Sequence, residues 1–394
     1  MGSSETAGAP ADIHARLAEE LRGRTIAVPN MLGDILQGWP SGRVNPHYVR
    51  LKHVVEGMLD SSVPEAWYRK KLSDSDFALF ASIWHPDAAW EDLHTMGLLT
   101  VWAFVWDDTF DTGEQDLAGD YERGCAFRAQ TLAYCRYWLG LELAACSPSE
   151  FPTWPSYPSP PQSSSFVPLF AGRRALHRAL SWIGARPPPP PPPNVGCALF
   201  KPLGEALCAR FDERQRKRVY SQIKFWIDST AEEQQLRIRG SIPTSENYLR
   251  FRQGTTAFRM FALVGEISTV TNIPSAIMDT PEMGVIMTEA NLGIIIINDV
   301  LSLKKEMATL AMINLVPVMY HHENKSLEAI IESLCSELMA SRQRFEAAAS
   351  ALARMAAREE AGGSDKSGKH GLQDELQRYM DTIKTSVTGT WEYT

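Results

Sequence analysis

Apolar residues recur at three- and four-residue steps over residues 64–106, 121–143, 199–230, 248–270, 276–305 and 326–357. That spacing puts them on one face of an α-helix. Alternating strand patterns are almost absent. Proline and glycine punctuate the joins, at Asn45-Pro46, Gly113, Gly240, Pro243 and Pro274. The pattern predicts an all-α chain of ten or more helices.

Two stretches break it. Residues 147–194 are rich in Pro and Ser and end in an unbroken proline run over 187–193. Such a run favours extended polyproline II and cannot be helical, so the stretch reads as an insertion in which only residues 173–183 have helical spacing. A smaller polar gap covers residues 362–371. The first 25 residues read as a flexible lead-in, and residues 26–394 as one helical domain carrying the insertion.

With 394 residues, 44% of them hydrophobic, the chain can bury a large core. Its net charge of -8 argues against a nucleic-acid partner, which calls for a basic face. The six cysteines form no C-x-x-C pair and read as reduced apolar residues. The N-terminus lacks the apolar core of a signal peptide. The longest continuous apolar run, residues 101–106, is too short to span a bilayer. The expectation is a soluble cytoplasmic protein without membrane insertion, monomeric or homodimeric.

Three constellations carry candidate chemistry. Asp107-Asp108-Thr109-Phe110-Asp111 places carboxylates 107, 108 and 111 on one side of a helix, with Phe104 a turn earlier. Carboxylates this close repel unless a cation compensates, and hard oxygens suit Mg²⁺. A solvated helix end is the plain alternative. A calcium loop is disfavoured, because Thr112 stands where the turn glycine belongs. In the second, Asn298, Ser302 and Glu306 fall at i, i+4 and i+8, one stripe of oxygen donors emerging from the apolar run at 294–297. Three polar residues on an exposed face would give the same spacing. The third is Arg252, 46 positions before Asn298. Its planar fork can donate two parallel hydrogen bonds to a diphosphate, although a lone helical arginine is most often a surface residue.

Taken together the three resemble class I terpene cyclases. Asp107-Asp108-x-x-Asp111 resembles their aspartate-rich motif, and Asn298-Asp299-x-x-Ser302-x-x-Lys305-Glu306 their second metal motif. Arg252 stands where the diphosphate-sensing arginine is customary. Val28-Pro29, Asn45-Pro46-His47-Tyr48, Trp102-Ala103-Phe104 and Gly254-Thr255 extend the likeness to fungal sesquiterpene synthases. The resemblance implies a single helical bundle around a central active-site cavity and a role in secondary metabolism. The metal ligands it implies are Asp107, Asp108, Asp111, Asn298, Ser302 and Glu306, holding three Mg²⁺. Arg252 and Lys305 would add positive charge, and Phe104 would form an aromatic wall. The substrate would be an isoprenoid diphosphate, farnesyl diphosphate first. A chain-elongating prenyltransferase fits less well, since its second motif is also aspartate-rich.

One departure is expected to matter. The family commonly ends this region with an Arg-Tyr pair that contacts the diphosphate. Residues 387–394 resemble the segment before that pair, and Arg378-Tyr379 lies too early. The alternative expectation is therefore a protein of the same fold that binds the diphosphate with impaired turnover.

Overall fold

The computed structural model describes residues 13–111, 117–141, 188–269, 273–361 and 371–394. All regular structure among them is helical. In chain order the helices are α1 (Ile13–Leu21), a π-helical turn (Met31–Ile35), α2 (Tyr48–Ser62), α3 (Ala66–Asp74), α4 (Phe77–Trp84), α5 (Trp90–Asp111) and α6 (Tyr121–Trp138). Next come α7 (Val195–Ala198), α8 (Phe200–Arg210), α9 (Glu213–Arg239), α10 (Ser245–Thr255), α11 (Phe258–Gly265) and a 3₁₀ turn (Glu266–Thr269). The last are α12 (Ser275–Met278), α13 (Pro281–Ala308), α14 (Leu315–Glu323), α15 (Leu327–Ala361) and α16 (Leu372–Tyr393).

Local chemistry sets many of the boundaries. At α9 the Asp212 side chain accepts from Gln215 N, and the Gln215 side chain accepts from Asp212 N, closing a capping box. The same helix ends at Gly240 with φ +59, a left-handed cap. Thr280 caps α13, with Pro281 in the first turn. Two periodic stretches are more broken than their spacing suggests. Residues 64–106 form three helices, parted at Asp76 (φ +46), whose side chain caps α4, and at His85. Residues 248–270 are parted at Ala257 (φ +57) between α10 and α11.

Packing closes a ring. α4 packs on α16, α16 on α13, α13 on α10, α10 on α9 and α9 on α6. Trp226 of α9 meets Trp102 and Trp106 of α5 at 5.4 and 4.7 Å between ring centroids, and α5 returns to α4. α11 sits inside, touching α5, α9, α13 and α16; all its residues but Arg259 are buried.

α13 is long and apolar enough to cross a membrane by length and composition, which a search for unbroken apolar runs overlooks. Within the fold, 67% of its most apolar window is buried. Ile13–Leu21, in the lead-in expected to be flexible, forms a helix with Leu17, Ala18 and Leu21 buried. The end of the insertion, Pro188–Pro193, has no helix, and Asn194 then caps α7. Residues 173–183 and most of the 362–371 gap lie outside the described residues. Cys125, Cys135, Cys197, Cys208 and Cys335 are free thiols.

Candidate active site

The first constellation sits in the last turn of α5. Asp107 is exposed and Asp108 half-buried. Both Asp108 oxygens accept from Lys71 Nζ, at 2.6 and 2.8 Å. Asp111 closes the helix, and its side chain lies outside the described residues. Phe110, inside the motif, is held from behind. The Arg128 guanidinium lies 4.6 Å over its ring and donates to Thr230 Oγ1 (2.9 Å) and Gln234 Oε1 (2.7 Å) of α9. The aspartate turn is thereby tied to α9.

The second constellation occupies the last three turns of α13. Arg252 Nη2 donates to Asn298 Oδ1 at 2.9 Å and lies 3.4 Å from Asp299 Oδ1. The guanidinium and the first residue of the stripe are therefore in contact. Ser302 Oγ donates to Glu306 Oε1 at 2.7 Å, and Asn314 Nδ2 donates to Glu306 Oε2 at 2.9 Å. Lys305 is exposed.

Asp299 anchors this arrangement. It is 1% exposed and accepts from Tyr248 Oη at 2.6 Å and from Leu315 N at 3.0 Å. Burial pushes its carboxyl up to about 6 against the pull of Arg252. Burial likewise raises the Tyr248 phenol well above its ordinary value, so Tyr248 is a neutral donor. Burial opposes the charge on Arg252, but the carboxylates of Asp299, Glu233 and Glu306 favour it, and its pKa is raised.

α9 links the two constellations. One face carries Trp226 against α5. One turn further along, Ser229 lies so close to Gly254 of α10 that any side chain there would overlap its hydroxyl. Gly254 thus permits the approach that brings Arg252 beside α9, and Arg250 pairs with Glu232 across the same seam.

Donor chemistry decides the fit to a divalent cation. Asn298 Oδ1, Ser302 Oγ and Glu306 Oε1 are hard oxygens on one helical stripe, and two of them already touch. Among the described residues no three His, Cys, Asp or Glu side chains form a ready metal cage. The hard oxygens of the stripe suit Mg²⁺, which completes its shell with waters and phosphate oxygens.

A family model described as terpene synthase family 2, C-terminal metal binding, matches residues 168–344. The chain is 26% identical over 336 residues to sesquiterpene cyclase hepA of Aspergillus oryzae, covering 85% of this chain and 80% of that protein. It is 22% identical to terpene cyclase braA of Annulohypoxylon truncatum, covering 99% and 90%.

The chain is similar to the terpene cyclases over most of its length.

Its fold agrees. Linalool/nerolidol synthase from Streptomyces clavuligerus superposes with a TM-score of 0.64 at 18% identity, over 94% of this chain and 99% of that one. In this chain an aromatic row runs inward from the aspartate turn. Phe104 stacks on Phe77 at 5.0 Å and meets Phe80 edge-on at 5.4 Å. Phe80 in turn meets Phe261 at 5.6 Å and Tyr393 at 5.2 Å. The Tyr393 hydroxyl donates to Ser75 O, tying α16 to the α3–α4 turn. Of the early Arg-Tyr pair, Arg378 is exposed, while Tyr379 is buried and donates to Ala262 O at 3.1 Å. Sequence reasoning missed Lys71, Tyr248 and Asn314. Their signal is spatial, since each pairs with a motif residue on another helix.

Proposed function

We propose that this chain is a class I terpene cyclase, which ionises farnesyl diphosphate with the help of Mg²⁺, closes the allylic cation into a sesquiterpene and releases diphosphate. The observation that carries the reading is the contact of Arg252 with Asn298 at the head of an oxygen-donor stripe. A diphosphate needs both a cation bridge and a planar donor, and here the two kinds of group are neighbours. Curated relatives named sesquiterpene cyclase support the carbon count, and a structural neighbour was solved with 2-fluorogeranyl diphosphate.

In this reading Asp107, Asp108 and Asp111 hold metal on one side, and Asn298, Ser302 and Glu306 on the other, for three ions in all. Bound Mg²⁺ would neutralise the departing diphosphate. Arg252 directs two N–H donors at the leaving group, and Lys305 adds a mobile positive charge. Asp299 and Tyr248 keep the Arg252 fork oriented, so little reorganisation is needed as negative charge develops. Phe104 and Phe80 offer π faces that stabilise a cation without supplying an electron pair to trap it. Water is kept from the cation by the apolar side chains of α11. Residues 26–394 form the catalytic domain in this reading.

The test is incubation with farnesyl diphosphate and Mg²⁺, followed by gas chromatography–mass spectrometry. A cyclic C15 product supports the reading. Binding of farnesyl diphosphate without products would favour a diphosphate-binding protein of impaired turnover. Products only from geranyl or geranylgeranyl diphosphate would overturn the substrate assignment.

A further inference from the structure

Asn314 is 1% exposed and belongs to none of the three constellations. It follows a turn in which Leu310 takes φ +59. That conformation is costly for a leucine and persists only where its surroundings impose it. The turn brings the chain back, so that a residue eight positions after Glu306 meets its carboxylate.

The side chain of Asn314 is fully used. Oδ1 accepts from Val316 N at 3.0 Å, capping α14. Nδ2 donates to Asp299 O at 2.8 Å and to Glu306 Oε2 at 2.9 Å. A cap alone needs only an oxygen, which Ser, Thr or Asp would supply as well. The short amide is the side chain that adds two N–H donors to that oxygen at this reach. The residue type is thus explained by Asp299 and Glu306 rather than by the cap.

Glu306 needs such a partner. It lies two residues before the end of α13, on a side chain with three rotatable bonds. Ser302 bonds one of its oxygens and Asn314 the other. Each carboxylate oxygen has a second lone pair, so both can be held while the outward pairs stay open to a cation. We propose that Asn314 is a positioning residue, which fixes the Glu306 carboxylate so that Asn298, Ser302 and Glu306 present one ready donor stripe. The inference rests on the reading of that stripe as metal ligands.

The experiment follows protein-dependent Mn²⁺ binding in the presence of inorganic diphosphate by electron paramagnetic resonance. It uses the full chain, Asn314→Ser, Asn314→Asp and Glu306→Gln. Serine and aspartate both retain the cap of α14 but lack the amide donors, so at least one variant is expected to fold with near-native thermal unfolding. The result expected is a loss of Mn²⁺ affinity of about ten-fold or more in the Asn314 variants, the range for partners of metal ligands. The Mg²⁺ concentration for half-maximal turnover should rise with it, and kcat should recover at high Mg²⁺. If Glu306→Gln loses Mn²⁺ while folded Asn314 variants bind it like the native protein, Asn314 is only a helix cap and the inference is overturned. If Glu306→Gln itself leaves Mn²⁺ binding unchanged, the ligand reading beneath it fails as well.

Discussion

Arg252 Nη2 and Asn298 Oδ1 share a hydrogen bond of 2.9 Å although the residues are 46 positions apart. The oxygen that accepts this bond is the same atom that would face a metal ion. A cation and a guanidinium repel one another, so metal arrival should release Arg252 from Asn298 and free its donors for the diphosphate. Asp299, hydrogen-bonded to Tyr248 and Leu315 N, keeps the guanidinium nearby as this happens.

Arg252 and Asn298 should therefore act as a unit. Arg252→Ala and Asn298→Ala are each expected to lower kcat/KM by about a hundred-fold or more, while the proteins remain folded. The double variant should lose much less than the product of the two single effects, as residues of one network do. Steady-state kinetics on the four proteins checks this, and multiplicative losses would show that the residues work independently.

If Asp108 holds metal as proposed, Lys71, which donates to both its oxygens, would compete for it. The lysine side chain is half exposed, so its ion pair contributes at most about 1 kcal/mol to stability. Lys71→Met is expected to leave thermal unfolding nearly unchanged and to lower the half-saturating Mg²⁺ concentration a few-fold. A titration of turnover against Mg²⁺ reads this directly. An unchanged or higher requirement would mean that Lys71 assists rather than opposes metal binding.

The proline-rich insertion should be removable up to a definite point. Excising residues 147–187 with a short linker is expected to leave the unfolding temperature within a few degrees, because loop length has a modest entropic cost. Extending the excision through Asn194 removes the cap on Cys197 N and the contact from Asn194 Nδ2 to Thr109. That second excision should cost about 1 kcal/mol more. Equal unfolding temperatures for the two proteins would show that Asn194 does not anchor α7.

The helical class and the two motif stripes were legible because helical spacing is a local signal. The capping box at Asp212 and Gln215 is equally local. The breaks at Asp76 and Ala257 were not, since neither residue type announces a left-handed backbone. Arg252 could be placed by its distance from Asn298, yet the hydrogen bond between them exists only once α10 packs on α13. Lys71 with Asp108, Tyr248 with Asp299 and Asn314 with Glu306 are likewise products of packing. A linear pattern cannot show which surface lysine or which asparagine meets a motif carboxylate.

Glu266 should leave a signature in the pH dependence of stability. It is 2% exposed, and burial pushes its carboxyl from 4.5 up to about 7. The folded state therefore favours the neutral acid. Its contribution is fully present below about pH 4.5 and is lost as pH rises through 7. The difference is on the order of 3 kcal/mol. Glu266→Gln should thus gain stability relative to the native protein between pH 5 and 8. Buried His85, lowered by desolvation to about 3, acts with the opposite sign and loses its contribution as pH falls below 6.5. It is common to both proteins and cancels in the comparison. Parallel unfolding curves across that range would contradict the assignment.

The most direct test of the whole account is diphosphate release from farnesyl diphosphate, followed with and without Mg²⁺ for the native protein, Asp107→Asn and Asn298→Ala. The account predicts release by the native protein that stops when Mg²⁺ is chelated and returns when it is restored. It also predicts that both variants, folded by circular dichroism, release diphosphate at least a hundred-fold more slowly. Release that persists under chelation, or near-native release by either folded variant, would contradict the assignment of these two helices as the metal-bearing walls of the site.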